Sequence, residues 1–99
     1  MALLDLLGRR WALRIVAELA ESPASFNELQ DRCEQVSPSV LSQRLDELAN
    51  AGLVARSRDR RYSLTPRARE LGRMLLSLDS WARRWAASLA REGRGGRKR

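Results

Sequence analysis

Three short polar side chains recur along one predicted helix, and the chemistry open to them is hydrogen bonding. Ser39, Ser42 and Gln43 lie in the segment SPSVLSQRLDELANAGLV, which runs from Ser37 to Val54. At about 100° per residue, Ser39 and Gln43 lie opposite the leucines of this segment, and Ser42 borders them. Hydroxyl and amide groups arranged in this way can bond to base edges in a DNA major groove, which admits one helix. An ordinary solvated surface is the alternative for all three.

Other side chains around this helix suit phosphate. Ser37 caps the helix, so that neighbouring free N–H groups attract an anion. Arg44 flanks the leucines and either reaches a DNA backbone or pairs with Glu47 or Asp46. Basic residues also crowd a predicted hairpin further along, which favours phosphate or minor-groove contact over a plain hairpin. These are Arg56, Arg58, Arg60 and Arg61.

The composition excludes the common kinds of active site. The chain has no histidine and a single cysteine, Cys33. It therefore lacks the usual general base, the commonest metal ligand and any pair of cysteines for a disulfide. No nucleophile–base pair can be assembled without histidine. We predict a protein that is not an enzyme, with no catalytic residue, no metal site and no cofactor.

The charge balance points to a polyanionic partner. The formal net charge is +7, and the last eight residues, EGRGGRKR, supply +3 of it, so the rest of the chain keeps +4. Such a field attracts DNA, RNA and anionic membranes alike. All basic residues except Lys98 are arginine, a bias that suits phosphate and guanine but that a GC-rich genome also explains.

Apolar spacing predicts the helices that position these groups. Residues 3–7 form a short apolar helix, and a second helix runs from about 9 to 21. Ser25 and Glu28 form a capping box that opens a third helix, which ends near Gln35. With the helix that starts at Ser37, it forms a helix-turn-helix pair.

An alternating pattern follows the fourth helix. Pro38 occupies its first position and Gly52 ends it. Residues 53–57 and 61–65 then predict two short strands joined by a turn at 58–60. A hairpin placed after such a helix is a wing.

Thr65 and Pro66 open the longest helix, which runs to about Arg91 and carries a coiled-coil seam. Residues beyond Leu75 extend past what so small a core can cover. We predict a homodimer in which this helix and the apolar first helix pack against their copies or against each other. The alternative is a seam that folds back on its own domain. The predicted interface comprises Leu3, Leu4, Leu7, Leu71, Leu75, Leu78, Trp81, Ala82, Trp85 and Leu89.

Cys33 is predicted to be a buried structural thiol. It shares a helical face with Phe26 and Leu29, whereas a redox sensor needs an exposed thiolate. The neighbouring Arg32 and Glu34 leave a partly exposed position open.

The order and spacing of these motifs resemble the HxlR-type winged helix-turn-helix transcriptional regulators, which are relatives of the MarR group. The resemblance covers residues from about 4 to 89. It rests on the Gly8-x-x-Trp11 start, FNELQ at 26–30, SPSVLSQRLDEL at 37–48, AGLV at 51–54 and YSLTP at 62–66.

The resemblance implies a dimeric bacterial regulator, usually a repressor, that binds an inverted repeat. It assigns residues 26–30 to the supporting helix, 37–50 to the recognition helix and 56–61 to the wing. The family often has arginine where this chain has Ser25, at a position that suits a phosphate contact. The wing is also shorter than the commonly proline-containing family form.

We therefore predict a mainly α fold with a small β-hairpin wing, which is a winged helix-turn-helix with a long C-terminal helix for dimerisation. Residues 1–91 would form the DNA-binding domain and 92–99 a flexible basic tail. The expected partners are double-stranded DNA and a second copy of the chain, with no membrane, a cytoplasmic location and room for an unidentified small-molecule effector. A winged helix that binds a protein partner without specific DNA binding is the alternative.

Overall fold

A computed structural model describes residues 2–95 of the chain. The described part contains, in order, α1 (Ala2–Leu7), α2 (Ala12–Glu21), β1 (Ala24–Ser25), α3 (Phe26–Arg32), α4 (Pro38–Asn50), β2 (Val54–Arg56), β3 (Arg61–Leu64) and α5 (Pro66–Gly95). The fold is mainly helical with a small antiparallel sheet and a long C-terminal helix, which confirms the predicted winged-helix class.

The sheet is formed by the predicted hairpin and one strand that the sequence did not predict. Its strand order is β1-β3-β2, and both pairings are antiparallel. The hairpin closes where the Ser57 amide donates to the Arg61 carbonyl at 2.8 Å. Strand β1 has only two residues, Ala24 and Ser25, which face Tyr62 and Arg61 of β3. So short a strand leaves no alternating pattern in the sequence.

Helix α4 matches its prediction at both ends. The Ser37 hydroxyl accepts a hydrogen bond from the Val40 amide at 3.2 Å, and Pro38 is the first helical residue. The chain leaves the helix through Gly52, whose φ of 76° is left-handed and favours glycine.

Two helix boundaries differ from the prediction because non-glycine residues adopt left-handed backbone. Helix α2 begins at Ala12, three residues later than expected, because Trp11 has a φ of 77°. Helix α3 ends at Arg32, since Glu34 and Gln35 have φ values of 35° and 60° and form the turn into α4. Neither Trp11 nor the Glu34–Gln35 pair is a residue type that predicts left-handed backbone, which is normally a glycine or asparagine conformation.

One core joins the first four helices to the sheet. Its largest fully buried side chains include Ile15 and Val16 of α2, Leu29 of α3, and the three leucines of α4. Cys33 is also fully buried there, as predicted. Burial raises the pKa of its thiol, so the protonated form is favoured.

Helix α5 contributes to this core only through its first half. Ala68 is buried, and Leu71 and Leu75 pack against the core. Leu78, Trp81, Trp85 and Leu89 are about half exposed, so this distal part of the seam does not fold back on its own domain. The radius of gyration is 16.0 Å, compared with about 13 Å for a compact chain of this size. The projecting helix accounts for that elongation.

The predicted tail is helical where the structure describes it. Helix α5 continues through Gly93 to Gly95 instead of ending near Arg91, because a glycine weakens a helix by only about 1 kcal/mol. Residues 96–99 of the predicted tail lie outside the described residues.

Within residues 2–95, no helix combines the length and the apolar character that crossing a membrane requires.

Candidate nucleic-acid interface

Helix α4 packs its apolar face against the core and leaves its polar face exposed to solvent. Leu41 and Leu48 are 0% exposed and Leu45 is 1% exposed. Ser39, Ser42 and Gln43 are all exposed on the other side, as are Asp46 and Asn50. The three candidate base-reading residues therefore share one accessible surface near the start of the helix.

The start of α4 is held by Ser37. Besides accepting from the Val40 amide, its hydroxyl lies 3.4 Å from the hydroxyl of Ser39. Ser37 is thus engaged in capping, and the polar groups at this end of the helix are organised before any partner binds.

Arg44 occupies a different environment from the one expected of a solvent-facing phosphate ligand. Its side chain is only 13% exposed. Nε donates to the Arg10 carbonyl at 2.9 Å, and Nη1 contacts Glu47 Oε1 at 3.2 Å. Arg44 therefore ties α4 to the turn between α1 and α2. Of the two partners considered from the sequence, Glu47 is the one that it contacts.

Glu47 is compensated from two sides. In addition to Arg44, Arg9 places Nε 3.8 Å from Glu47 Oε2. The two guanidinium groups neutralise this carboxylate, and Asp5 lines the same cavity as Arg9 and Glu47. Asp46, by contrast, is exposed on the polar face.

The wing exposes three of its four arginines. Arg56, Arg58 and Arg60 are all exposed, and the Arg56 guanidinium lies 5.7 Å from the ring centroid of Tyr62 in a cation–π arrangement. Ser57 organises the turn by bonding to Asp59 and to the Arg61 backbone. The tip thus carries exposed arginines on a turn whose backbone is ordered by Ser57 and Asp59.

Arg61 anchors the wing to the start of α3. Its Nη1 lies 3.1 Å from Glu28 Oε1, and its Nη2 donates to the Pro23 carbonyl at 3.1 Å. Glu28 also forms the predicted capping box, since its Oε1 accepts from the Ser25 amide at 2.8 Å while the Ser25 hydroxyl accepts from the Glu28 amide at 3.2 Å. The bond from the Ser25 amide, with the charge of Arg61, lowers the pKa of Glu28.

Arg9 and Arg10 were not among the predicted site residues, because the apolar spacing placed them in the second helix. The structure has them in the turn before α2, beside α4. A signal for this turn is Gly8 followed by two arginines and Trp11, but the apolar spacing of α2 masked it.

The candidate dimer residues separate into two groups. Leu7 is buried in its own chain, while Leu71, Leu75 and Ala82 are half-buried. The other candidates are exposed, and the rings of Trp81 and Trp85 stack with centroids 6.1 Å apart. The exposed candidates are Leu3, Leu4, Leu78, Trp81, Trp85 and Leu89.

Comparisons with known proteins agree with this arrangement. The HxlR-like helix-turn-helix family model matches residues 6–90. YvaP of Bacillus subtilis, an uncharacterized HTH-type transcriptional regulator, is 33% identical over 87 residues, which cover 82% of this chain and 81% of YvaP.

Two solved structures share the fold. A possible HxlR family transcriptional factor from Thermoplasma volcanium superposes with a TM-score of 0.78 at 25% identity, over 88% of this chain and 84% of the other. Quinone-bound YodB from Bacillus subtilis gives a TM-score of 0.71 at 30% identity, over 81% and 90% of the two chains.

Proposed function

The chain belongs to the HxlR-like helix-turn-helix family of transcriptional regulators, and we propose that it is a repressor that binds a specific inverted-repeat operator as a homodimer. Helix α4 enters the major groove, and the wing at residues 56–61 contacts the backbone or the minor groove. The DNA-binding unit comprises residues 1–91.

The observation that carries this proposal is the division of α4 into two faces. Three buried leucines attach one face of the helix to the core. On the other face the side chains of Ser39, Ser42 and Gln43 are exposed to solvent. A surface without long side chains allows the helix to approach base edges closely. Gln43 is suited to a bidentate contact with adenine, and Ser39 and Ser42 to base or phosphate.

Wing and capping residues divide into contact and positioning roles. Arg56, Arg58 and Arg60 are exposed and supply phosphate or minor-groove contacts. Ser37 holds the N-terminus of α4 against phosphate. Ser25, Arg44 and Arg61 are engaged within the chain, and their main effect is to position the reading elements.

The dimer follows from the exposed seam of α5. Leu78, Trp81, Trp85 and Leu89 leave a large apolar surface in water, of the kind that marks an interaction site. Leu3 and Leu4 of α1 are a second group of exposed apolar side chains. A two-fold dimer of this kind presents two copies of α4 to half-sites about 34 Å apart, which is one turn of DNA.

Fluorescence anisotropy tests the reading role of α4. We expect the wild-type protein to bind the duplex upstream of its own gene at least about a thousandfold more tightly than a random duplex, with a steep salt dependence. Gln43→Ala should lose about 1–3 kcal/mol on the specific duplex and little on the random one. The double variant Arg58→Ala/Arg60→Ala should weaken binding to both duplexes alike.

An equal loss by Gln43→Ala on both duplexes would show that Gln43 does not read bases. Equal, weak and nearly salt-independent binding by the wild type would favour the protein-interaction module instead. Ala87→Arg, on the exposed far part of α5, controls for changes in overall charge.

A further inference from the structure

The geometry points to a second DNA-backbone site in the turn between α1 and α2, where Arg10 binds a phosphate with support from Arg9. The inference rests on the proposed function, because it takes α4 as the element that enters the groove. It adds a contact on the side of α4 that the wing does not serve.

The turn is attached to α4 by two contacts. Arg44 on α4 donates from Nε to the Arg10 carbonyl at 2.9 Å, and Arg9 lies 3.8 Å from Glu47 on the same helix. Arg44 directly follows Gln43, and Glu47 lies one turn further along. The turn therefore borders the polar face that would meet the bases.

Charge at this turn is available for an external anion. Within residues 2–95, no carboxylate lies within 4.0 Å of the Arg10 guanidinium. Arg14, by contrast, is engaged by Glu18 at 2.8 Å and by the Arg32 carbonyl at 2.7 Å. Arg9 and Arg44 balance Glu47 and the nearby Asp5, which lines one cavity with Arg9 and Glu47. Arg10 therefore adds a positive charge that none of these carboxylates pairs with.

The Arg10 side chain is also oriented before binding. Its Cζ lies 5.7 Å from the centroid of the Trp11 ring, and that ring is half-buried. A cation–π contact restricts the guanidinium without using its N–H donors. A shallow cavity of about 470 Å³ lies at this turn, and Arg9, Arg10 and Trp11 are among its lining residues.

The position of the turn complements that of the wing. The ten residues of α2 separate its ends by about 15 Å. Its C-terminal end leads into β1, which pairs with the wing strand β3, while its N-terminal end carries Arg10. The major groove is about 12 Å wide, with a phosphate backbone on each side. Arg10 and the β1–β3 pairing thus lie towards opposite ends of α2. With α4 in the groove, we expect Arg10 and the wing to contact the backbone on different sides of α4.

The test compares Arg10→Gln with the wild type in anisotropy titrations at several salt concentrations, on the upstream duplex and on a random duplex. Glutamine keeps the main-chain carbonyl that Arg44 uses, and circular dichroism checks the fold. We expect binding to both duplexes to weaken about tenfold. The slope of log K against log salt should become shallower by about 0.9 for each Arg10 withdrawn.

Two further variants separate a phosphate contact from a structural effect. Arg10→Lys keeps the charge, so it should retain most of the salt slope even if affinity falls. Arg83→Gln removes one exposed charge from α5, where Arg83 pairs with Asp79 at 3.0 Å, and it should leave the slope unchanged.

If Arg10→Gln matches Arg83→Gln while the wild type binds its upstream duplex specifically, the inference is wrong and the proposed function stands. If the wild type does not prefer that duplex but Arg10→Gln still reduces the salt slope, the phosphate site stands and specific recognition fails. Binding to neither duplex would overturn both.

Discussion

Individual side chains differ in how far their roles were predictable from the sequence. Ser37, Pro38 and Gly52 act on backbone groups within a few residues, and the structure confirms all three assignments. Spacing offered Glu47, three residues on, as one partner of Arg44, and the structure has that contact. The carbonyls that Arg44 and Arg61 bind were not predictable in this way, because they lie 34 and 38 residues away. Local spacing determines a cap or a helical face, whereas it contains no information about a partner brought close by the fold.

Cys33 has the environment of a structural thiol. It caps the C-terminus of α3, is fully buried, and has its pKa raised by desolvation. Nucleophilic attack and oxidation both require the thiolate and access to solvent.

We therefore expect Cys33 in the folded protein to react with a thiol reagent at least about a hundredfold more slowly than in the unfolded chain, because reaction must wait for opening. Absorbance assays with and without denaturant measure this ratio. DNA affinity should be the same before and after treatment with diamide. A fast native reaction, or an affinity lost to diamide and restored by reductant, would instead make Cys33 a redox sensor.

The sequence predicted the type of most secondary-structure elements but was less accurate about the residues at which they begin and end. The five helices and the hairpin follow from apolar periodicity. Besides the late start of α2 and the longer α5, the sequence missed the two-residue strand β1 and the early end of α3. Strand β1 depends on pairing with β3, and the end of α3 on the left-handed backbone of Glu34 and Gln35. Both lie where the supporting helix meets the wing or the recognition helix.

The start of α3 links two of these elements through one carboxylate. Glu28 accepts from the Ser25 amide and pairs with Arg61 of the wing. These contacts stabilise the charged form and lower its pKa. A lowered pKa in the folded state means that the stabilisation is present above the unfolded pKa and is lost as pH falls through the folded one.

The wild type should therefore be more stable than Glu28→Gln at pH 7, and the difference should shrink as pH falls below the ordinary carboxyl pKa of 4.5. Urea denaturation at pH 7 and at pH 3 measures the two differences. Asp31→Asn, on the same helix but outside the capping box, is the matched control. A difference that stays constant between the two pH values would show that the ionised carboxylate contributes nothing.

The whole molecule is shaped by the half of α5 that leaves the core. Stacked Trp81 and Trp85, each 53% exposed, are costly to leave in water. The sequence predicted both the seam and its projection, since the seam is longer than the core can cover. The sequence did not show which of the predicted interface residues pack inside their own chain. Leu7 is the clearest example, because it was predicted to lie in the dimer interface and is buried in its own chain.

Trp85→Arg should convert the proposed dimer into a folded monomer, because it places a charge in the centre of the exposed seam. Analytical ultracentrifugation at micromolar concentration measures the mass. Operator affinity should fall by at least about a hundredfold, as two linked contacts become one. Ala87→Arg, on the opposite side of α5, should remain dimeric. A wild-type protein that sediments as a monomer would contradict the dimer itself.

Two hydrogen bonds connect the first residue before α5 to the segment that follows α4. The Thr65 hydroxyl donates to the Gly52 carbonyl at 2.7 Å, and the Thr65 amide donates to the Leu53 carbonyl at 3.0 Å. These bonds clamp the root of α5 to the end of the recognition helix, and its thirty residues extend about 45 Å. In the proposed dimer, helix α5 would therefore act as a rigid arm attached at Thr65. A tilt at its far end would move α4, so the seam that joins the two copies would also set the distance between the two grooves that they read.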